Sequence, residues 1–305
     1  MKKLLIIGGM VFLAGIFILL SSLSVLNWNI AEISSNPILE KKEKILTAQD
    51  KNITVEDKNM PYVITKSPDE DIHLKYFESQ KENYDIKSDG DITITKTTHY
   101  RWYDLIFNVN FQNSVFTIQL PENFSGSLKI TTNNGSIKVQ NIKVDTLTCS
   151  TNNGKVTMEN LRLNGDISAS TDNGAILASN ISTDKNCSFK TSNGKITIDN
   201  LSTAKLTSVT NNGAIETDSV NAKGKVTLQT SNHAIHFVDL NAKTDVELKT
   251  SNGSITGNFL ARMSDFSIIS KTSNGSNNLP ENAEMGSRKL SAKTSNGKIK
   301  IEFLK

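Results

Sequence analysis

A four-residue phrase recurs at a nearly fixed spacing through the C-terminal part of this 305-residue chain and limits what it can fold into. Each copy reads Thr, a variable residue, Asn and then Gly. The nine copies begin at Thr132, Thr151, Thr171, Thr191, Thr210, Thr230, Thr250, Thr272 and Thr294, and His233 replaces Gly in the sixth. Successive glycine positions are 19 to 22 residues apart. A period near twenty is typical of an architecture built by stacking one short unit on the next.

Apolar residues alternate on both sides of the phrase, as strand residues do when one face is buried. The column seven residues before each glycine position contains Leu128, Leu147, Ile167, Cys187, Leu206, Val226, Val246, Ile268 and Leu290. The columns five before, two after and seven after are also mainly apolar. Each repeat therefore supplies four or five side chains to a common core.

Three β architectures are compatible with an Asn-Gly turn between alternating runs. A single copy would indicate a hairpin, and many hairpins would form a meander or a propeller. A propeller blade needs about forty residues and four strands, twice the length of this repeat. We therefore predict an all-β fold, a single-stranded parallel β-solenoid of about nine 20-residue coils over residues 126–305. The crossover rule favours a right-handed coil.

The phrase itself is interpreted as a corner of the coil. Asn and Gly both tolerate left-handed backbone, and His is found there more often than most residues, so His233 is expected to be accommodated. With coils in register, the Asn side chains are expected to form an amide ladder and the Thr side chains a hydroxyl ladder.

Residues 51–125 show β patterns without the period. The runs are Ile53–Val55, Tyr62–Thr65, Asp71–Lys75, Asp91–Thr95 and Val115–Leu120, the last ended by Pro121. An open coil end exposes unpaired backbone groups, so this section is predicted to cap the first coil. Asn277, Pro280 and the lengthened 22-residue spacings predict a degenerate region at the other end.

The N-terminal fifty residues predict membrane attachment. Residues 4–26 form an uncharged stretch that is long enough for a transmembrane helix. A cleaved signal peptide is the alternative. Lys2 and Lys3 place the tip, residues 1–3, in the cytoplasm, because no Lys or Arg occurs from Asn27 to Glu40. Residues 27–50 are predicted to be a polar stalk. The expected location is the cell membrane, single-pass, with the C-terminal domain extracytoplasmic.

Composition and motifs exclude several functions. The net charge is only +3, which gives no field for nucleic acid. Cys149 and Cys187 fall in inward columns two coils apart, about 10 Å, too far for a disulfide, and are expected to be buried thiols. No phosphate loop, paired-Cys metal site or nucleophile elbow occurs in the sequence, so we predict no enzyme and no cofactor.

Two sets of outward residues are candidates for a site. Asp199, Glu216, Asp218 and His236 fall in neighbouring outward columns, where they predict a divalent-cation site or an acid–base group acting on a glycan. A solvated polar face is the favoured alternative, because outward strand positions are ordinarily polar. Lysine columns contain Lys190, Lys249, Lys271 and Lys293, and also Lys155, Lys195 and Lys298. They can attract anionic wall polymers or lipid headgroups, or protect the sheet from aggregation.

The segment Phe116–Ile137, with its Leu-Pro step at Leu120 and the repeats that follow, resembles the bacterial putative-adhesin β-strand-repeat family. The resemblance covers roughly residues 50–305, with departures at His233 and Asn277. It implies an exported or membrane-anchored envelope protein without established catalytic residues.

Three functions are compatible with these observations. The leading hypothesis is a noncatalytic cell-surface module that acts as an adhesin or binds an envelope polymer or a surface protein. The alternative is an envelope-stress regulatory accessory with a membrane-protein partner. A glycan-active β-helix enzyme is the second alternative.

Overall fold

The computed structural model describes residues 2–25, 39–47, 52–99 and 114–304. They form two compact units, one that contains the helix α1 (Lys2–Val25) and one made of Lys41–Phe77, Tyr84–Thr97 and Ser114–Lys305. No helix in the described part of the chain has both the length and the apolar character of a membrane span, so the transmembrane helix predicted at residues 4–26 is not confirmed.

Apart from α1 and one 3-10 helix, the regular secondary structure of the described residues consists of twenty-five strands. The seven strands before the repeats are β1 (Glu40–Thr47), β2 (Ile53–Glu56), β3 (Tyr62–Lys66), β4 (Asp71–Glu78), β5 (Glu82–Lys87), β6 (Ile92–Thr98) and β7 (Phe116–Leu120). The repeats form β8 (Leu128–Thr131), β9 (Ile137–Val144), β10 (Leu147–Ser150), β11 (Val156–Leu163), β12 (Ile167–Thr171), β13 (Ile176–Thr183), β14 (Asn186–Thr191), β15 (Ile196–Thr203), β16 (Lys205–Val209), β17 (Ile215–Ala222), β18 (Val226–Gln229), β19 (Ile235–Ala242), β20 (Val246–Lys249), β21 (Ile255–Phe259), β22 (Phe266–Lys271), β23 (Asn282–Glu284), β24 (Arg288–Lys293) and β25 (Ile299–Phe303). A 3-10 helix lies at Met263–Asp265.

Each repeat contributes one strand to each of two sheets, which confirms the parallel β-solenoid. One sheet has the order β1-β4-β7-β3-β9-β11-β13-β15-β17-β19-β21-β25, and the other β23-β22-β24-β20-β18-β16-β14-β12-β10-β8-β2-β6-β5. Equivalent residues pair directly: Leu147 is in register with Leu128 on one side and Ile167 on the other. The 19- and 20-residue spacings therefore stack in register, with one shift between Phe237 and Leu240 where β19 pairs with β21.

The predicted inward columns form one continuous core. Their apolar members are buried along the stack, from Leu128 to Leu290 seven before the glycine position and from Ile137 to Ile299 two after it. Cys149 and Cys187 are buried and free, as predicted. Burial raises the pKa of the Cys149 thiol to about 12 and that of Cys187 to about 11, so both stay protonated and unreactive at neutral pH.

The solenoid has about eight turns rather than nine, because the eighth copy of the phrase, which begins at Thr272, does not start a strand. Asn277 occupies the position where the other repeats have Ile or Val, and it makes only an isolated bridge to Ile299. Its amide donates to the Ser270 hydroxyl at 2.8 Å, and its Oδ1 accepts from the Leu279 N–H. These side-chain bonds replace the strand, so the predicted degenerate end is confirmed at this residue.

The last two copies of the phrase stack in the reverse of their chain order. β24 pairs with β20 on one side and β22 on the other, and β25 pairs with β21. The coil that contains Gly297 consequently lies between the coils of Gly253 and Gly275. The two 22-residue spacings supply the extra chain for this detour.

Asn278 covers the exposed edge of β25. Its Oδ1 accepts from the Ile301 N–H at 3.0 Å, and its Nδ2 donates to the Ile301 carbonyl at 2.8 Å. The side-chain amide thus imitates a peptide group of the missing strand. Such a cover prevents edge-to-edge pairing with other chains.

The glycines of the phrase are required by space, not by left-handed backbone as predicted. A Cβ at Gly174 would lie 1.8 Å from the carbonyl oxygen of Gly154, and one at Gly154 would lie 1.9 Å from that of Gly135. None of these glycines has φ in the left-handed range. Direct backbone contact between coils therefore selects Gly.

The predicted amide ladder is confirmed and runs the length of the stack. Each Asn of the phrase donates through Nδ2 to the Oδ1 of the Asn one coil away, at 2.6 to 2.9 Å, from Asn134 to Asn274. The predicted Thr hydroxyl ladder is wrong. The Thr171 hydroxyl instead accepts from its own Gly174 N–H and donates to the Gly154 carbonyl, both at 3.1 Å.

His233 does not use left-handed backbone either. Its side chain is exposed, with Nδ1 3.0 Å from the Asn232 carbonyl oxygen, whereas the stacked glycines on either side are buried. The amide ladder continues through Asn232. This coil therefore tolerates the substitution.

The N-terminal cap begins with an unrecognised copy of the phrase, Asp57-Lys-Asn-Met60. Asn59 accepts from Asn134 and starts the amide ladder, and Met60 occupies the glycine position. The Asp57 carboxylate replaces Thr: it accepts from the N–H groups of Lys58 and Asn59 and from the Tyr62 hydroxyl. A coil made of β2 and β3 thus precedes the first predicted repeat.

The predicted strands of residues 51–125 are all present and cap the stack as expected. β6 and β7 form the next layer, and β4 pairs antiparallel with β7. Residues 40–47, assigned to the stalk, form β1 beside β4 instead. Leu46 packs against the core, which explains the difference. Residues 27–38 and 48–50 of the predicted stalk lie outside the described residues.

His73 fastens β1 to the cap. Its Nδ1 lies 3.2 Å from Glu43 Oε1, and its Nε2 lies 2.8 Å from Asp69 Oδ1. Hydrogen bonding to Asp69, and then to Glu43, raises the pKa of His73 despite burial. The same hydrogen bonds lower the pKa of Asp69 and Glu43.

The glycine contact predicts the cost of one methyl group. Gly174→Ala is expected to lower the free energy of unfolding by about 1–3 kcal/mol or more, because the Cβ overlaps a backbone carbonyl that cannot move alone. Gly90→Ala is the control, since nothing lies within 4 Å of its Cβ, and it is expected to change stability by less than about 0.5 kcal/mol. Urea denaturation measures both. Equal effects would contradict the close-contact explanation.

The His73 cluster predicts a stability that depends on pH. Because the folded pKa of His73 is raised, its contribution is complete below about pH 6.5 and is lost as pH rises through the folded value. The difference in unfolding free energy between wild type and His73→Gln should therefore be larger at pH 5.5 than at pH 8.5. Urea denaturation at both pH values tests this, and a difference independent of pH would contradict it.

Candidate binding groove

The predicted carboxylate and imidazole residues are neighbours, as the register required. Asp199 pairs with Asp218, and Glu216 pairs with His236, on three consecutive strands. Their contacts are separate: Glu216 forms an ion pair with Lys195 at 2.6 Å, and His236 Nδ1 lies 3.0 Å from the Thr256 hydroxyl.

The four side chains do not converge on a common point. Among the described residues, no three His, Cys, Asp or Glu side chains are placed to hold a metal ion. The metal site at Asp199, Glu216, Asp218 and His236 stays a prediction of the sequence, and the geometry adds nothing to it.

The predicted lysine columns are exposed, and one group is contiguous. Lys293 on β24 pairs with Lys249 on one side and Lys271 on the other. Lys195 of the second column is bound to Glu216, and Lys190 pairs with Val209 rather than with another cation. The row lies on the sheet that contains β20, β22 and β24.

A groove of about 550 Å³ lies along the sheet that contains β9, β11, β13 and β15. It runs beside a bend that occurs within each of these strands. Two columns form its walls: Asn141, Asn160, Asn180 and Asn200, and then Lys143, Arg162, Ser182 and Ser202. The buried side chains of Ile142, Leu161 and Ile181 separate the columns. The groove therefore combines an apolar floor with polar walls.

The asparagine column marks the true left-handed position of the coil. Asn141, Asn160, Asn180 and Asn200 have φ between 50° and 56°, and Ser219 and Asp239 continue the column. Asn adopts this conformation more readily than most residues. At this bend the chain turns while remaining within one strand, and the residues on both sides of the bend line the groove.

The amides of this column form a second ladder. Asn160 donates to Asn141 at 2.8 Å, Asn180 to Asn160 at 3.0 Å and Asn200 to Asn180 at 2.9 Å. Each amide has two N–H groups, and the ladder uses one of them. The wall therefore presents a row of fixed amides with hydrogen-bonding capacity left for a ligand.

Two cations lie side by side on the opposite wall. Lys143 and Arg162 are in direct register on adjacent strands, and Arg162 is in register with Ser182 on its other side. Both cations are exposed, and neither forms an ion pair with any residue the structure describes. Ser182 and Ser202 continue the column with hydroxyl groups.

The lower end of the groove is closed by the cap. Lys66 and Glu122 form an ion pair there at 2.7 Å, which lowers the pKa of Glu122. Leu120 and Pro121 complete this end. With three cationic side chains against one carboxylate, the lining has a net charge of +2.

This arrangement favours binding over catalysis. Glu122 is the single carboxylate in the lining, and it is held by Lys66, so the pair of acids that hydrolyses a glycoside is missing from these described residues. Amides, hydroxyls and cations over an apolar floor are the groups that bind the hydroxyl and acidic groups of a polymer.

The sequence analysis missed the groove, although a signal was present. Asn recurs six residues after the glycine position in four consecutive repeats, at the same period as the phrase. The column was not recognised because the left-handed residue was assigned to the phrase itself.

Family comparison identifies the fold. The family model described as Toastrack DUF4097 matches residues 51–302, most of the chain. The chain belongs to this family. No curated protein matches it.

Solved structures that are similar to this chain are distant from it in sequence. A putative cell adhesion protein from Clostridium sporogenes is 13% identical, with 88% of this chain and 100% of that chain covered and a TM-score of 0.22. A putative adhesin from Bacteroides fragilis is 13% identical, with coverage of 88% and 99% and a TM-score of 0.32. A putative lipid binding protein from Parabacteroides distasonis is 12% identical, with coverage of 87% and 97% and a TM-score of 0.44. Likenesses at this level identify no ligand.

Proposed function

We propose that this protein is a noncatalytic β-repeat module of the cell envelope that binds a polymer along the groove. One wall of the groove is the column Asn141, Asn160, Asn180 and Asn200, and the other is the column Lys143, Arg162, Ser182 and Ser202. The observation that carries the proposal is the groove, where hydrogen-bonding groups recur at every coil. A polymer with a short repeat can make equivalent contacts to successive coils, and such repeated contacts add up.

Rigidity supports the same proposal. The Asn ladder and both sheets hold the groove walls in place before a ligand arrives, so little conformational entropy is lost on binding. The names of the similar structures, two of them adhesins or cell adhesion proteins, are consistent with a binding role. The regulatory alternative, with a membrane-protein partner, stays a prediction of the sequence.

Extracytoplasmic display is part of the proposal. Its support is the sequence: residues 4–26 carry no charge, and Lys2 and Lys3 precede them. Protease added to intact cells stripped of their wall should digest the C-terminal domain, whereas a cytoplasmic marker protein should survive. Full protection of the domain, with digestion after lysis, would contradict the location.

The groove predicts that a bulky residue will block binding. Ser182 is exposed in the middle of the wall, and Ser182→Trp fills the space between the columns without touching the core. We expect it to abolish retention of the purified domain, residues 39–305, on isolated envelope polymer in a co-sedimentation assay.

Ser188→Trp is the matched control, because Ser188 occupies an outward position on β14 of the other sheet. It should bind like wild type, and both variants should unfold like wild type in a thermal melt. Equal retention of Ser182→Trp and Ser188→Trp would remove the groove as the binding surface.

A further inference from the structure

We infer that the ligand of this groove is a linear polyanion whose acidic groups lie on the Lys143–Arg162 side and whose hydroxyl groups contact the Asn amides. The inference rests on the proposed function, since it names the ligand class of the same groove.

Lys143 and Arg162 are two cations in register on adjacent strands. Residues in register on neighbouring parallel strands are about 4.8 Å apart at their backbones, so two cations there repel each other. Some other lysines of the stack have a carboxylate partner on the next coil: Lys195 has Glu216, and Lys225 has Glu247. Lys143 and Arg162 have no such partner in the described structure. An anionic ligand would supply it.

The positive charge of the lining is concentrated at these two cations. Glu122 is bound to Lys66 at the closed end and leaves Lys143 and Arg162 uncompensated. Arg162 can hold a carboxylate or a phosphate through two parallel N–H bonds, and Lys143 adds a second charge one coil below. Two successive acidic groups of one chain fit this pair better than a single small anion.

The length of the groove favours a polymer. The walls extend over four consecutive coils, Asn141 to Asn200, or about 14 Å at the coil spacing. Beyond the two cations, the wall changes to Ser182 and Ser202, which bind neutral groups. A ligand that fills the groove therefore extends past its charged contacts and needs hydroxyl groups as well as acids.

Two sources supply this chemistry: a polymer of uronic acids and a polyol joined by phosphodiesters. Both present regularly spaced anions and free hydroxyls. The experiment therefore uses polygalacturonate, poly(glycerol phosphate) and neutral dextran of matched length, with inorganic phosphate as the single-anion probe, against the domain 39–305 by calorimetry.

Wild type should bind at least one of the polyanions about tenfold or more tightly than dextran, with an affinity that falls as salt rises. Whichever polyanion binds more tightly identifies the source. Lys143→Gln with Arg162→Gln should reduce that affinity about tenfold or more, and Lys143→Arg with Arg162→Lys should retain most of it.

The matched control is Lys249→Gln with Lys293→Gln, which removes the same charge from a register pair on the other sheet. It should bind like wild type, whereas equal losses in the two double variants would show attraction by net charge alone and overturn the inference. Inorganic phosphate binding as tightly as the polymer would also overturn it.

The two proposals fail in different ways. If dextran binds as well as the polyanions, and Ser182→Trp blocks it while the Lys143 and Arg162 variants do not, the groove is a polymer site and the polyanion inference is wrong. If Ser182→Trp blocks nothing, the proposed function itself is wrong.

Discussion

The contact between backbones at the glycine corner fixes the geometry of the whole stack. A Cβ placed on Gly174 would lie only 1.8 Å from the carbonyl oxygen of Gly154, so consecutive coils touch without any side chain between them. That contact places the Thr171 hydroxyl against the carbonyl of Gly154 and brings successive Asn side chains within 2.6 to 2.9 Å. Buried apolar columns supply most of the stabilisation, but hydrophobic burial has no direction. The corner supplies the register.

The groove is a consequence of the same register. Lys143 and Arg162 are adjacent because β9 and β11 are paired without slippage, and a shift of one residue would bury both. The Asn141 column forms a ladder for the same reason. The groove walls, which come from residues 141 to 202, are thus set by backbone pairing, although each coil contributes only two or three side chains to them.

Much of the fold could be predicted because it follows from the period of the sequence repeats. The period near twenty identified the solenoid, the inward columns, the amide ladder and the buried Cys149 and Cys187. Local irregularities could be predicted only in part. Asp57 replaces Thr in a coil that the phrase does not mark, and the irregularity at Asn277 was predicted, but the side-chain bonds that replace its strand were not. The candidate site was missed for a different reason. Outward positions are polar in any solenoid, so Asp199 and Asp218 look as suggestive as Lys143 and Arg162 until ion pairs and cavities are known.

The reversed order of the last two coils affects how the chain can be made. Most coils find their neighbour about 20 residues away, but Asn296 finds Asn252 across 44 residues. A ribosome that has released residues up to 277 has produced a segment, β22, whose partner β24 has not yet been synthesised. The stack can grow during translation only as far as β21, and it continues to β22 only after β24 and β25 have been synthesised. β24 and β25 are therefore the closing piece of the fold rather than an appendage.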